Sequence, residues 1–441
     1  MKKFAVVLLS TIACATLANA KIVQTFEPAK DTSAFSGKPE VSFATDLSFY
    51  FQGLSSAVPG GVASVDATTG ALTYPAATNI ESGLILPTAN FDISAKVLSG
   101  FNVKLQTMLA SHHHNEAYVK GGYATIDNLD FIAPGFLSSV MQNATLKIGV
   151  NDINYGDDQY RRTDNANVMK NPFINNLAVE GYLQGTHVEF LYRLPSLNAF
   201  AMVGVTNGQA NPSDVSQTNS APGSGSSDRY ALYGKVGFDK QMNEDLRVRL
   251  TESVFFVEGI NRLDLYSSDK AGDVVRQTFG STGTAAQGAG WNIISAFASG
   301  TELQANAAAK TTPDLLASKT NLFLKYQDTE FYGLYEIIDA SDVFQKPLKA
   351  THYAVDLVQR FSNDKFWLAA RYENAVQEYA DAWNDFGDAE LTQVQLAAGW
   401  YISKNAVAKL EYIDQERKNF SIYKNGKGSF DGYMISASLS F

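Results

Sequence analysis

Between Asn154 and Asn165 the chain carries Asp157, Asp158, Arg161, Arg162 and Asp164, three carboxylates and two guanidinium groups within eight positions. Such a cluster has two uses. It can hold a segment in shape through ion pairs, each worth little at an exposed surface, or it can face charges into a narrow aqueous passage and bias which ions go by. The run lies in a polar connection, 153–179, and continues through Asn171-Pro172-Phe173. Other chemistries find less in the sequence. His112-His113-His114 with Glu116 are metal-ligand types, but adjacent histidines on a short solvated loop point apart, so no metal site is assigned. His187 and His352 sit in no hydrolase motif, so no catalytic residue is assigned, and no cofactor is expected.

The N-terminus has the form of an export signal. Lys2 and Lys3 precede an apolar run, Phe4 to Ile12, and Ala18-Asn19-Ala20 gives a small-x-small cleavage site. Residues 1–20 are therefore expected to leave as a signal peptide, cleaved after Ala20. Cys14 goes with them. A lipid anchor at Cys14 is disfavoured because Thr11 stands where a lipobox has Leu. The exported chain then holds no cysteine, which rules out disulfides, thiolate nucleophiles and Cys-ligated zinc. The net charge of −10 deepens by two once Lys2 and Lys3 are removed, and an acidic chain is a poor partner for nucleic acid.

The elements that would position the charged run are strands. Hydrophobic residues make up 45% of the chain but alternate with polar ones instead of collecting into a long apolar span after the signal. In the last ten residues Tyr433, Ile435, Ala437, Leu439 and Phe441 point one way, and Met434, Ser436, Ser438 and Ser440 the other. Similar packets at 41–52, 91–98, 101–110, 117–126, 144–152, 180–194, 199–206, 229–239, 245–257, 320–327, 330–338, 352–361, 365–375, 391–402, 405–414 and 431–441 make about 16 strands. One further hairpin within 258–319, at Asp273 to Phe279 and Trp291 to Phe297, would raise the count to about 18. Connections alternate in length: turns such as Ser362 to Lys365 are short, while 207–228 and 258–319 are long and polar. Two connections break the rule, a short one at 111–116 and a long one at 127–143 that could hold a helical turn. The 27 Phe and 21 Tyr suit girdles at two membrane interfaces.

A strand ending on Phe441 resembles the C-terminal signature of Gram-negative outer-membrane barrels, and the run Asn154 to Phe173 resembles porin-like proteins of marine and environmental bacteria. The resemblance implies an all-β fold, a transmembrane antiparallel β-barrel with short periplasmic turns and long extracellular loops. It implies a bacterial outer-membrane location, contact with lipid and lipopolysaccharide, insertion by the barrel assembly machinery and a homotrimer. Tyr433, Ile435, Leu439 and Phe441 would form the assembly signal. In general trimeric porins the loop after the fifth strand folds inward, so loop 153–179 would be the constriction, with Asp157, Asp158, Arg161, Arg162 and Asp164 its charges. The short motif of those porins is not present here.

The division expected is a signal peptide, 1–20, a periplasmic N-terminal tail, 21–40, and a barrel, 41–441. At this size the lumen is too wide for strand side chains alone to fill, and no plug domain precedes the barrel. If apolar residues face lipid, Lys96, Lys104, Lys120, Lys147, Arg193, Lys235, Arg247, Arg249, Lys325, Arg371 and Lys409 point inward. Fewer acids do so: Glu189, Glu336, Asp356, Glu373 and Glu411. A basic lumen implies a water-filled channel for ions and small hydrophilic solutes with a weak anion preference. Those residues could equally form cross-strand pairs that hold barrel shape. The competing functional readings are an adhesive or structural outer-membrane barrel with recognition loops and, further off, an outer-membrane hydrolase.

Overall fold

The computed structural model describes residues 24–441 except 66–70, 78–79, 81, 111–115, 164–166, 208–229, 342–346, 379–386 and most of 259–313. In chain order the strands are β1 (Glu40–Ala57), β2 (Ser64–Val65), β3 (Leu72–Thr73), β4 (Gly83–Leu98), β5 (Phe101–Ala110) and β6 (Glu116–Ile126). Next come β7 (Ala144–Asp152), β8 (Gln184–Leu194), β9 (Ala199–Thr206), β10 (Ala231–Gln241), β11 (Leu246–Val257) and β12 (Leu315–Tyr326). The last are β13 (Thr329–Ser341), β14 (Pro347–Phe361), β15 (Phe366–Glu378), β16 (Ala389–Ser403), β17 (Ala406–Lys418) and β18 (Lys427–Ser440). Among the described residues, β1 and β4 to β18 form one closed antiparallel barrel of 16 strands, while β2 and β3 make a small hairpin in the connection after β1. Closure joins the ends of the chain: β1 pairs with β18, setting Leu47 against Leu439 and Phe51 against Ile435.

Alternation builds the wall as the sequence reading expects. Along β18, Tyr433, Ile435, Leu439 and Phe441 are exposed on the outside, and Met434, Ser436 and Ser438 are buried inside. Along β15, Leu368 is 57% exposed and Ala369 7%. Phe43 stacks on Phe91 and Phe366 on Trp400 across neighbouring strands, all on the outer face, as interfacial girdles do. Inside, Trp367 lies across Gly399 so closely that a Cβ there would overlap its ring. The turn from β14 to β15 places Ser362, Asn363 and Asp364 at positive φ, a conformation that Asn and Asp adopt more readily than other non-glycine residues.

Three expectations change. β11 pairs directly with β12 from Leu246↔Tyr326 to Val257↔Leu315, so no hairpin within 258–319 enters the wall. Most residues of that proposed hairpin lie outside the described ones. Strands also run further outward than expected: β12 begins at Leu315 and β14 at Pro347, because apolar residues at the start of β12 stand on both faces, Leu315 and Ala317 buried beside exposed Leu316, which blurs the period of two. Finally, residues from Gln24 to Ser33 do not hang in the periplasm as a tail. Phe26 packs against Tyr160 and Phe323, and Glu27 bonds to Lys235 and Arg249, so this stretch runs inside the barrel. The long connection 127–143 does contain a helical turn, α1 (Ser138–Met141).

Candidate functional site

The connection from β7 to β8 turns inward and lies against the inner faces of β10 to β17. Two short 3-10 turns shape it, Asp158–Arg161 and Asn167–Met169. Its buried apolar residues, among them Tyr155, Val168, Phe173, Ile174 and Val179, provide what an inward fold needs: surface to remove from water.

Wall residues hold its backbone. Ile174 and Asn175 N–H donate to the Glu411 carboxylate at 2.6 and 3.3 Å, and Ala178 and Val179 N–H donate to Glu373 at 2.8 and 2.9 Å. Lys409 Nζ donates to the carbonyls of Val168, Asn171 and Phe173 at 2.7, 2.7 and 3.0 Å. Trp367 Nε1 donates to Pro172 O at 3.0 Å. A buried segment must have its backbone polar groups satisfied, and inward-facing β15 and β17 side chains satisfy these.

The charged run is divided among several partners. Asp157 receives Arg249 Nε and Nη2, both at 2.8 Å, and lies 2.6 Å from Lys235 Nζ. Lys319 Nζ reaches both oxygens of Asp158 at 3.1 Å. Arg161 pairs with Asp356 at 3.1 Å, and Arg162 with Glu180 at 2.5 and 3.0 Å. Burial raises the Asp157 carboxyl, but Lys235 and Arg249 outweigh it and hold the group well below the usual carboxylate range. Burial wins at Asp158, whose carboxyl is pushed up despite Lys319. Such buried pairs gain little net stability against desolvation, but breaking one strands a charge. Asp164 lies outside the described residues.

On the opposite side the lumen is not packed shut. A cavity of about 810 Å³ remains between the inward loop, the segment 24–31 and the wall β5 to β8. Of the basic positions expected to face inward, Lys104, Lys147, Arg193, Arg247 and Arg249 line it. Lys235 and Arg371 are buried under the loop, and Lys325 pairs with Glu330 at 3.2 Å. Six basic and six acidic side chains line the cavity. The basic excess expected from sequence is therefore offset at this level, because Glu27, Asp31, Asp127, Asp152 and Asp239 were not counted among the inward acids. Lys319 was missed for a plain reason: the strand was expected to start at 320.

His352 sits between two carboxylates, Nδ1 3.1 Å from Glu336 and Nε2 3.0 Å from Glu373. Both ring nitrogens are thereby occupied. His187 is buried, with Nδ1 3.0 Å from Gly185 O. His112, His113 and His114 lie outside the described residues.

No protein-family model and no curated protein matches the sequence. Solved structures do match the fold. OmpT of Vibrio cholerae superposes with a TM-score of 0.50 at 12% identity, over 92% of this chain and 99% of that one. The outer membrane channel DcaP of Acinetobacter baumannii superposes with a TM-score of 0.54 at 9% identity, over 92% and 99%. At such identities the likeness is one of fold alone: among the described residues this chain is a closed antiparallel barrel of 16 strands, the architecture of these outer-membrane proteins.

Proposed function

We propose that the protein is an outer-membrane porin, a water-filled channel for passive diffusion of ions and small hydrophilic solutes, narrowed by loop 153–179. One observation carries the reading: a closed barrel whose lumen is partly filled by an ion-paired loop and keeps beside it a cavity of about 810 Å³ with charged side chains of both signs on its lining. Balanced charge on that cavity favours weak selectivity. The sign proposed is anionic and rests on Lys147 and Arg193 of the open wall, since Glu27, Asp31 and Asp239 are tied into ion pairs, as Lys104 is to Asp92 at 2.6 Å. A catalytic use of His352 is disfavoured by the carboxylates on both its nitrogens. Export with cleavage after Ala20, insertion directed by the strand ending at Phe441, and a homotrimer complete the proposal on sequence and resemblance. The test is a planar bilayer with purified protein under a salt gradient. Discrete conductance steps with a small reversal potential of the anion sign support it, and an electrically silent, correctly folded barrel returns the adhesive reading.

A further inference from the structure

The stretch Gln24 to Ser33 is fixed to the inner wall along its length. Arg247 donates to Gln24 O at 2.8 Å. Phe26 packs edge-on to Phe323, centroids 5.5 Å apart, with the Arg249 guanidinium 4.1 Å from its ring centre. Arg193 donates to Pro28 O, Lys30 Nζ donates to the carbonyls of Asp127 and Ala144, both at 2.7 Å, and Asp31 pairs with Lys96 at 3.0 Å. Contacts to strands this far apart in sequence hold the segment across the lumen.

Charge bookkeeping at its tip is specific. Lys235, Arg247 and Arg249 form a connected cluster with Asp157, Asp239 and Glu27, three cations to three carboxylates. Asp157 comes from the inward loop and Asp239 from β10. Glu27 is supplied by the N-terminal segment, 3.0 Å from Lys235 and 2.8 Å from Arg249, and it lines the cavity together with Arg247 and Arg249.

We propose that this segment is a third pore-lining element and that Glu27 is a specificity-determining residue, cancelling one positive charge beside the cavity and so keeping selectivity weak. This rests on the channel reading above. Without Glu27 the cluster carries an excess positive charge facing the cavity, in a partly dehydrated place where salt screens it poorly.

The experiment combines electrical and chemical readouts. Under a KCl gradient, Glu27→Gln should move the reversal potential towards the chloride equilibrium value and Glu27→Lys should move it further, both variants being first shown to fold as heat-modifiable barrels. Unchanged reversal potentials in both overturn the proposal. Seating is measured without any current, in a Cys14→Ser background: Phe26→Cys should resist maleimide in the folded barrel, while Lys38→Cys, at an exposed position, reacts. Equal reactivity overturns the seating and the proposal with it. If the wild type passes no current while Phe26→Cys stays protected, the channel reading falls and takes the selectivity role of Glu27 with it, leaving the seated segment established.

Discussion

The two sides of the lumen are built from the same kind of strand and end up as different materials. On the β10 to β17 side, inward residues such as Trp367, Arg371, Glu373 and Lys409 are buried under the inward loop. On the β5 to β8 side, Lys104, Tyr123, Thr125 and Lys147 face a cavity. Alternation alone decides which residues point inward; what stands in front of them decides whether they act as core or as channel wall. The environment of a lumenal residue is thus set by a segment distant in sequence.

Substitutions can break that contrast, the packed side first. Asp157→Ala leaves Lys235 with Glu27, and Arg249 with Glu27 and Asp239, and should cost about 3–5 kcal/mol, the scale for stranding buried charge, read by urea unfolding. Because this carboxyl titrates below its unfolded value, its contribution is present above the ordinary carboxylate range and is lost as pH falls, so the variant should also show a flatter acid limb. A loss no larger than that of a surface mutant would place the loop outside the packed lumen.

Next comes the wall itself. Leu368→Arg on the lipid face should cost about 2–4 kcal/mol, and Thr125→Arg, facing the cavity, much less. Ala369 would make a poor inward control, since it packs against Trp367 and Val168 beneath the loop. Equal losses for Leu368→Arg and Thr125→Arg would mean that the open side is not open. Glu411→Ala removes the acceptor for two loop N–H groups and should cost about 1–3 kcal/mol while raising single-channel conductance as the loop loosens. Unaltered conductance would show that the passage does not run past this loop. Smallest is Lys147→Ala on the open wall: a stability change of about 0–1 kcal/mol, with a reversal potential shifted towards cations and fading at high salt.

The wall was legible from sequence because a period of two is local: each residue declares its side through its immediate neighbours. The position of the inward loop followed from its place after the fifth wall strand together with the resemblance to porins, and Asp157, Asp158, Arg161 and Arg162 stood out by their density. Their partners were not. Glu373 and Glu411 read as inward acids, but their use as acceptors for loop N–H groups depends on a backbone path that no strand pattern encodes. Gln24 to Ser33 has no period at all, so nothing local distinguishes a seated segment from a free tail. Its place is specified by Phe323, Arg249 and Lys96, residues with their own local explanations.

The β1 to β18 seam also sets a kinetic demand. Thr45 and Phe441 exchange backbone hydrogen bonds at 2.7 and 3.0 Å, joining residues almost a whole chain apart. Every other neighbouring strand pair in the wall can form from nearer segments, but none removes the two raw edges of the sheet, and exposed backbone edges are not tolerated in hydrocarbon. The last contact in sequence separation is therefore the one that makes the rest admissible in lipid. Folding of this barrel is a single late commitment, slow by its loop-closure entropy, and a partly zipped sheet has no resting place inside the bilayer.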